Sequence, residues 1–547
     1  METTQNGMLD ILIVGSGPTG LVLAHELTRS RVQYRIIDRS LTPTQQTKAL
    51  GIMAKTLELF EKMGVAQTAI DQGLKLPAFI PYSEEKPLVR LDFEHRLDSP
   101  YPYVLMLPQN RVEQILLDQI SKRGGVVERG IELVALTQHE DYVEAQLRHA
   151  DGQTEHVQAK WLIGCDGAQS TVRHMLGLPF VGSTFEQIFA AADVKIDWNL
   201  TYNEGYAFLQ RGNFIAYFPM QNGRHRVVIA YEPKKAPEGE VTLEEIRHQI
   251  ALCGPQGAQI SDLSSPGRFH VNQRKAERYL DGRVILAGDA AHIHSPVGAQ
   301  GMNTGIQDAF NLAWKLALTV KGRAGRKLVE SYAIEREHVG KELIEGTERF
   351  THLVLQSSSI ITTLRDHIVP LVLSSIPNIY QRLINTLAEI SIAYDFSPIV
   401  HEQKTSNRHQ HQLHAGERAL DGPVQQAQSG TTQLFEHLHG TQHVLLAFSS
   451  NQQPEETSQR WQEITTFLSN SYSDVVESYL VSKQAGENQR TLTDLEGKLH
   501  ERYGFENESG LVLLRPDGYI GFLSHTMELE PLQVYLQGIF LPGSPTR

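Results

Sequence analysis

Apolar positions along this chain fall first into short unbroken runs, then into alternation, then into helical repeats. Residues 9–14 form a run of strand length, and residues 15–20 interrupt it as a tight turn. Leu21, Ala24 and Leu27 then recur at helical spacing, and residues 32–37 form a second strand-length run ending at Asp38. This order predicts a β-α-β unit feeding a parallel sheet. Further helices are predicted over residues 54–63 and 111–121, the second ended by Gly124 and Gly125. Strands are predicted around residues 126–136 and 143–148. After the Asp151-Gly152 turn, another follows at 161–163. From residue 185 to 270 the pattern changes to strand-length pieces, at 188–196, 205–209, 214–218 and 226–230. That block reads as a separate sheet interrupting the first domain.

A buried strand returns at 284–286, residues 305–318 carry a strong helical pattern, and 328–390 read as mostly helical. A polar stretch rich in His, Gln and Asn begins near Thr405, and residues 425–432 are again polar. Strands are predicted at 444–448 and 511–514, while residues 475–481 fit strand and helix equally. The resulting division is 1–180 with 271–400, an inserted 181–270, a linker at 401–424, and a last domain at 425–547.

Composition narrows the function classes. A length of 547 residues corresponds to about three to four domains at ~150 residues each. With 40% apolar and 21% charged residues, the chain has the makeup of a soluble, packed protein. A net charge of -13 argues against nonspecific nucleic-acid binding. Residues 368–377 are the most apolar late region, but Pro370, Ser374, Ser375 and Pro377 interrupt them. Nothing approaches the ~20 apolar residues of a membrane span. The two cysteines, Cys165 and Cys253, cannot supply a disulfide framework or a four-thiolate zinc site. They fit a reducing compartment, and a cytoplasmic location is expected. His292 and His294 lack a completing ligand array, so no metal site is expected.

The chemistry begins at Gly15-Ser16-Gly17-Pro18-Thr19-Gly20, a G-x-G-x-x-G spacing between predicted strand and predicted helix. Gly15 permits the tight turn, Gly17 lets backbone approach a pyrophosphate, and Gly20 permits close helix–sheet packing. Asp38 closes the second strand where an acid can accept hydrogen bonds from a ribose diol, and Arg39 stands beside it. Together these features point to a dinucleotide. Two later segments follow: Gly164-Cys165-Asp166-Gly167 running to Arg173, and Gly288-Asp289-Ala290-Ala291-His292 running through Pro296 and Gly298 to Gly301-Met302-Asn303.

With residues 307–316, Ser331-Tyr332 and Glu335-Arg336, these motifs make the chain resemble the single-component FAD-dependent aromatic hydroxylases of the para-hydroxybenzoate hydroxylase fold. The fold implied is α/β: a Rossmann-like FAD-binding domain with an inserted substrate-domain sheet, a helical region and a C-terminal thioredoxin-like domain. That last domain resembles the one in larger phenol and aromatic-polyketide hydroxylases. Residues 415–418 look like its entrance segment and residues 515–519, Arg-Pro-Asp-Gly-Tyr, like its terminal hairpin. No cysteine lies beyond Cys253, so dithiol chemistry does not carry over to it.

The resemblance implies that Gly15, Gly17, Gly20 and Asp38 hold the ADP half of FAD. Arg111, Gly288 and Asp289 would approach its phosphate–ribitol region. Pro296, Gly298, Gly301, Met302 and Asn303 would approach the isoalloxazine, and Asp166 would organise a cofactor region shared with NADPH or NADH. Lys48 and Lys55 stand where the family often has arginine, so charge is kept without the planar fork; Lys48 would face phosphate or NAD(P)H. The implied reaction uses NAD(P)H and oxygen to hydroxylate an electron-rich phenolic or polycyclic aromatic small molecule through a flavin C4a-hydroperoxide. Tyr217 and Phe218 are candidates for an aromatic substrate wall. His225, between Arg224 and Arg226 in a polar turn, is a candidate phenol contact, with an exposed structural role as its plainer reading. A flavin oxidase or dehydrogenase, and a noncatalytic FAD-binding interaction protein, are the alternatives. Monomer and homodimer both remain open.

Overall fold

The computed structural model describes residues 7–44, 49–210, 213–232, 235–295, 300–355, 362–403, 413–426, 430–450, 454–485 and 488–543. Its first sheet is built around Met8–Val14, which pairs in parallel with Tyr34–Asp38 on one side and Thr154–Gly164 on the other. Val284–Leu286 adds a further parallel strand beside Thr154–Gly164. The register sets Val14 opposite both Ile37 and Gly164, and Gly164 opposite Leu286. Four segments therefore leave the sheet at one end: Gly15, Asp38, Asp166 and Gly288. Carboxyl ends of parallel strands at a change of strand order are where doubly wound sheets take ligands.

Helices cover this sheet because their apolar positions repeat at three and four residues. Pro18–Arg29 starts with proline in its first turn, and Leu21, Val22, Leu23, Ala24 and Leu27 are all fully buried. Ala54–Met63 ends at Gly64, whose φ of +74° lets its N–H close on Glu61 and Phe60 carbonyls. Gly301–Val320 crosses the same core, with an almost unbroken buried run from Asn303 to Ala317.

The inserted sheet is larger than residues 181–270. Its long ribbon, Phe180–Asp197 with Gln259–Ala276, continues through Arg224–Tyr231, Asn213–Met220 and Gly205–Gln210. Ala78–Ser83 then joins Gly205–Gln210 in parallel, a pairing between distant segments that no local periodicity announces. One face packs under the Leu243–Cys253 helix. The other meets residues of the small sheet Gly51–Ile52, Val104–Met106 and Leu74–Leu76, and the helix Pro377–Leu387.

The last domain carries the thioredoxin-like order. His443–Phe448 and Val476–Ser482 are parallel across the Pro454–Ser471 helix, and Gly510–Leu514 and Ile520–Ser524 extend the sheet antiparallel. The stretch at 475–481, ambiguous in sequence, folds as the strand Val476–Ser482. The expected linker at 401–424 opens instead with a strand, His401–Gln403, paired to Ile520–Ser524.

Candidate flavin site

The glycine loop is shaped by its own neighbours. Gly15 has φ +103°, and a Cβ there would lie 2.4 Å from the Cys165 carbonyl oxygen. A Cβ on Gly20 would lie 2.0 Å from the Gly15 carbonyl oxygen. Neither position admits a side chain. Gly17 differs: its backbone is ordinary, and among the described residues no atom beyond its chain neighbours lies within 4 Å of where its Cβ would stand. It opens onto free space at the head of Pro18–Arg29, a helix with no side-chain cap and no acid in its first turn. Uncapped amides beside an open approach fit an anionic pyrophosphate.

Asp38 accepts from the Ser16 N–H and hydroxyl, each at 2.8 Å, and from the Ser40 N–H at 2.8 Å. Burial raises its carboxyl pKa, but these hydrogen bonds outweigh burial and hold it below the usual aspartate range. Asp38 thus stays ionised and locks the loop to the end of the second strand. Arg39 beside it is exposed.

Asp166 caps the short helix Thr171–Met175, accepting from the Thr171 and Val172 N–H groups at 2.7 and 3.1 Å. Its other carboxylate oxygen is buried and has no partner among the described residues. Arg173 bridges the two motif segments, donating to the carbonyls of Ala168 and Ala290, each at 2.9 Å. Gly288, at φ +60°, presses against Thr19 of the glycine-loop helix, and Asp289 is the exposed residue between buried Gly288 and Ala290. Arg111 is exposed in the first turn of Gln109–Lys122.

Met302 is half-buried against the main core, while Asn303 is fully buried. The Asn303 amide accepts from the Met53 N–H at 2.9 Å and donates to the Gly51 carbonyl at 3.0 Å. It ties the start of Gly301–Val320 to the strand and helix around residue 53. Among the described residues beyond its chain neighbours and its own helix, the nearest atoms to a Cβ placed on Gly301 are those of the His294 ring at 3.8 Å. Lys48, Pro296 and Gly298 lie outside the described residues. The open approach at Gly17 and the unpartnered Asp166 oxygen fit a long dinucleotide laid between two helix N-termini.

The three substrate candidates separate. Phe218 stacks on Phe79 at 5.7 Å and packs with Leu50, Met53 and Met106, on the side that holds the Asn303 tie. Tyr217 points the opposite way, as strand alternation requires. It is fully buried against Trp198 at 5.0 Å and Phe208 at 5.8 Å, its hydroxyl unpartnered. His225 is on that far face too, between Trp198 and Tyr202 at 4.9 Å each. It is buried rather than exposed, because residues 224–231 are strand, not turn. Burial lowers its pKa to about 4, so the ring is neutral.

Two buried groups, Asp308 within the 307–316 motif and Glu389, were given no role by the sequence. Asp308 accepts from the Gly288 N–H at 3.0 Å and makes short contacts with His292 at 2.7 Å and Arg336 at 2.5 Å. Burial opposes its charge, but Arg336 and His292 hold its carboxyl down to about 2. Glu389 is buried in a left-handed conformation, φ +59°, with Thr304 and Gln307 of Gly301–Val320 around its carboxyl at 3.3 and 2.5 Å. Burial pushes that carboxyl up to about 8. Nothing in local sequence marks either as partner of a helix elsewhere. Among the described residues, no group of three or more His, Cys, Asp or Glu could hold a metal, and no helix is long and apolar enough to cross a membrane.

Comparison with known proteins agrees with this architecture. Residues 8–347 match the model of the FAD binding domain, and residues 412–542 match that of the aromatic-ring hydroxylase C-terminal region. The chain is 32% identical over 540 residues to 6-methylpretetramide 4-monooxygenase of Streptomyces rimosus, covering 97% of this chain and 93% of that protein. It is 33% identical over 391 residues to rifampicin monooxygenase of Streptomyces venezuelae, covering 71% and 80% of the two chains. Among solved structures, the OxyS anhydrotetracycline hydroxylase from Streptomyces rimosus superposes with a TM-score of 0.74 at 28% identity, over 98% of this chain and 99% of that one. A glycine loop opening onto uncapped amides and matches to both family models lead to one assignment: the chain belongs to the FAD-dependent aromatic-ring hydroxylases.

Proposed function

We propose that this protein is an NAD(P)H-dependent monooxygenase that places one atom of molecular oxygen on an electron-rich, fused-ring phenolic substrate and releases the other as water. The chemistry that bound FAD would supply is hydride acceptance from NADPH or NADH and activation of oxygen. Gly15 and Gly20 let the loop close on its own backbone, Gly17 leaves room for the pyrophosphate, the first-turn amides of Pro18–Arg29 meet its charge, and ionised Asp38 faces the ribose. Asp289, Arg111 and the Gly301–Asn303 turn serve the remainder of the cofactor. Phe218, Phe79, Met53 and Met220 offer an apolar, aromatic surface for the ring system.

The observation that carries the reading is Gly17: an unstrained glycine whose missing side chain faces open space at an uncapped helix start. The fused-ring class is supported by relatives named for 6-methylpretetramide and anhydrotetracycline. The test is NAD(P)H oxidation across a panel of phenols and polycyclic aromatics under isotopically labelled oxygen, with product mass spectrometry. Substrate-stimulated oxidation with one labelled atom per product is expected. Turnover that yields only hydrogen peroxide would favour an oxidase and defeat the proposal.

A further inference from the structure

The 515–519 hairpin of the C-terminal domain packs into the flavin domain with Arg515, Asp517 and Tyr519 all buried. Arg515, 1% exposed, grips Glu335 through both carboxylate oxygens at 2.7 and 2.9 Å. Glu335 is also held by Lys315 at 2.7 Å, Asn311 at 2.6 Å and Ser397 at 2.6 Å. Asp517 accepts from Arg515, from the Trp314 indole N–H at 3.2 Å and from Asn311 at 3.3 Å. Its main-chain carbonyl faces the Lys55 ammonium at 3.5 Å, and that ammonium lies 4.5 Å above the Tyr519 ring. One hairpin thus touches both Ala54–Met63 and Gly301–Val320.

Those two helices are the pair that Asn303 joins at their N-terminal ends. A second route runs through Tyr519, whose ring packs on Tyr394 at 4.5 Å. The Tyr394 hydroxyl accepts from Arg336 at 2.8 Å, and Arg336 binds both Asp308 and the Thr304 carbonyl. Asp308 in turn receives the Gly288 N–H. Every member of this chain is buried, and close-packed interiors transmit displacement rather than absorb it.

We propose that Asp517, with Arg515 and Tyr519, is a positioning element of the flavin site. By gripping two helices at one level, it sets the spacing of Met53 and Asn303, and through Tyr394 and Arg336 that of the Gly288 turn. The inference rests on FAD occupying the site described above. It gives the C-terminal domain a task in cofactor geometry without any contact to substrate or flavin.

The experiment follows FAD release from the holoenzyme by the rise in flavin fluorescence on dilution, alongside flavin midpoint potential and thermal midpoint. Asp517→Ala removes the shared acceptor, and Lys55→Met removes the link to Ala54–Met63. Leu499→Ala, a fully buried residue, instead opens a cavity in the C-terminal domain's own core. Asp517→Ala and Lys55→Met are expected to speed FAD release by about two- to thirtyfold and to shift the flavin potential. Leu499→Ala should lower the thermal midpoint with neither change. If Asp517→Ala fails to fold, Lys55→Met decides. Wild-type release and potential in the folded variants overturn the proposal, as does equal acceleration by Leu499→Ala. A wild-type protein that holds no FAD sinks the cofactor reading itself, and that shows before any variant is made.

Discussion

Two glycines four residues or fewer from one another illustrate how differently one residue type acts. Gly20 is excluded from bearing a side chain by the 2.0 Å approach of the Gly15 carbonyl, whereas the Cβ position of Gly17 faces open space among the described residues. Gly20→Ala is therefore expected to lower the stability of the FAD-free protein by about 1–3 kcal/mol. Gly17→Trp should leave that stability within about 0.5 kcal/mol of wild type while FAD affinity falls tenfold or more, about 1.4 kcal/mol. Urea unfolding of the apoprotein with a flavin titration separates the two. Equal FAD affinity in wild type and Gly17→Trp would show that the pyrophosphate lies elsewhere.

Glu389 makes a pH prediction with a definite sign. In the unfolded chain its carboxyl loses its proton near the ordinary value of 4.5, but burial keeps it protonated in the fold up to about 8. The native state thus holds a proton that the unfolded state has released, and stability falls as pH rises from about 4.5 to about 8. His225 works on the acid side. Its folded value of about 4 lies below the ordinary 6.5, so its contribution is lost as pH drops through that interval. Glu389→Gln should raise the thermal midpoint more at pH 8 than at pH 5, by calorimetry. The same gain at both values would mean the carboxyl is not protonated in the fold.

At the scale of elements, the strand over Asn213–Met220 shows what alternation tells and what it withholds. Its apolar and aromatic residues announced a strand, and alternation required Tyr217 and Phe218 to face opposite ways. Which face looks toward the flavin domain depends on Gly51–Ile52 and Pro377–Leu387, which lie far away in sequence. That information was absent from any local window. Phe218→Ala is expected to raise KM for a fused-ring substrate with FAD affinity unchanged. Tyr217→Phe, which removes a buried unpartnered hydroxyl, should leave KM unchanged and stabilise the fold by about 1 kcal/mol. A KM effect confined to Tyr217→Phe would reverse the assignment of faces. The helix Ala54–Met63 was legible to its last residue because Gly64 ends it by a mechanism written locally. His225 was misread because its flanking arginines suggested a turn; in the fold Arg226 is neutralised by Asp193 across the strand pair at 2.8 Å.

For the whole molecule, the division into a flavin domain, an inserted sheet and a thioredoxin-like domain was readable from motif order, while the joints between them were not. Glu335, Arg336 and residues 515–519 each stood out as motif residues, yet nothing in sequence said that they meet. The contact spans 180 positions, from Glu335 to Arg515. That separation is also an interval of time. At roughly 5–20 residues per second, a ribosome needs about 10–40 s to deliver Arg515 after Glu335. Throughout that wait the nascent flavin domain carries an acid meant for the interior with Lys315 as its cation and no guanidinium. On the positioning role proposed for the 515–519 hairpin, the cofactor pocket is finished only once that hairpin has emerged, so a late-made segment governs when the glycine loop near the start of the fold takes up its ligand.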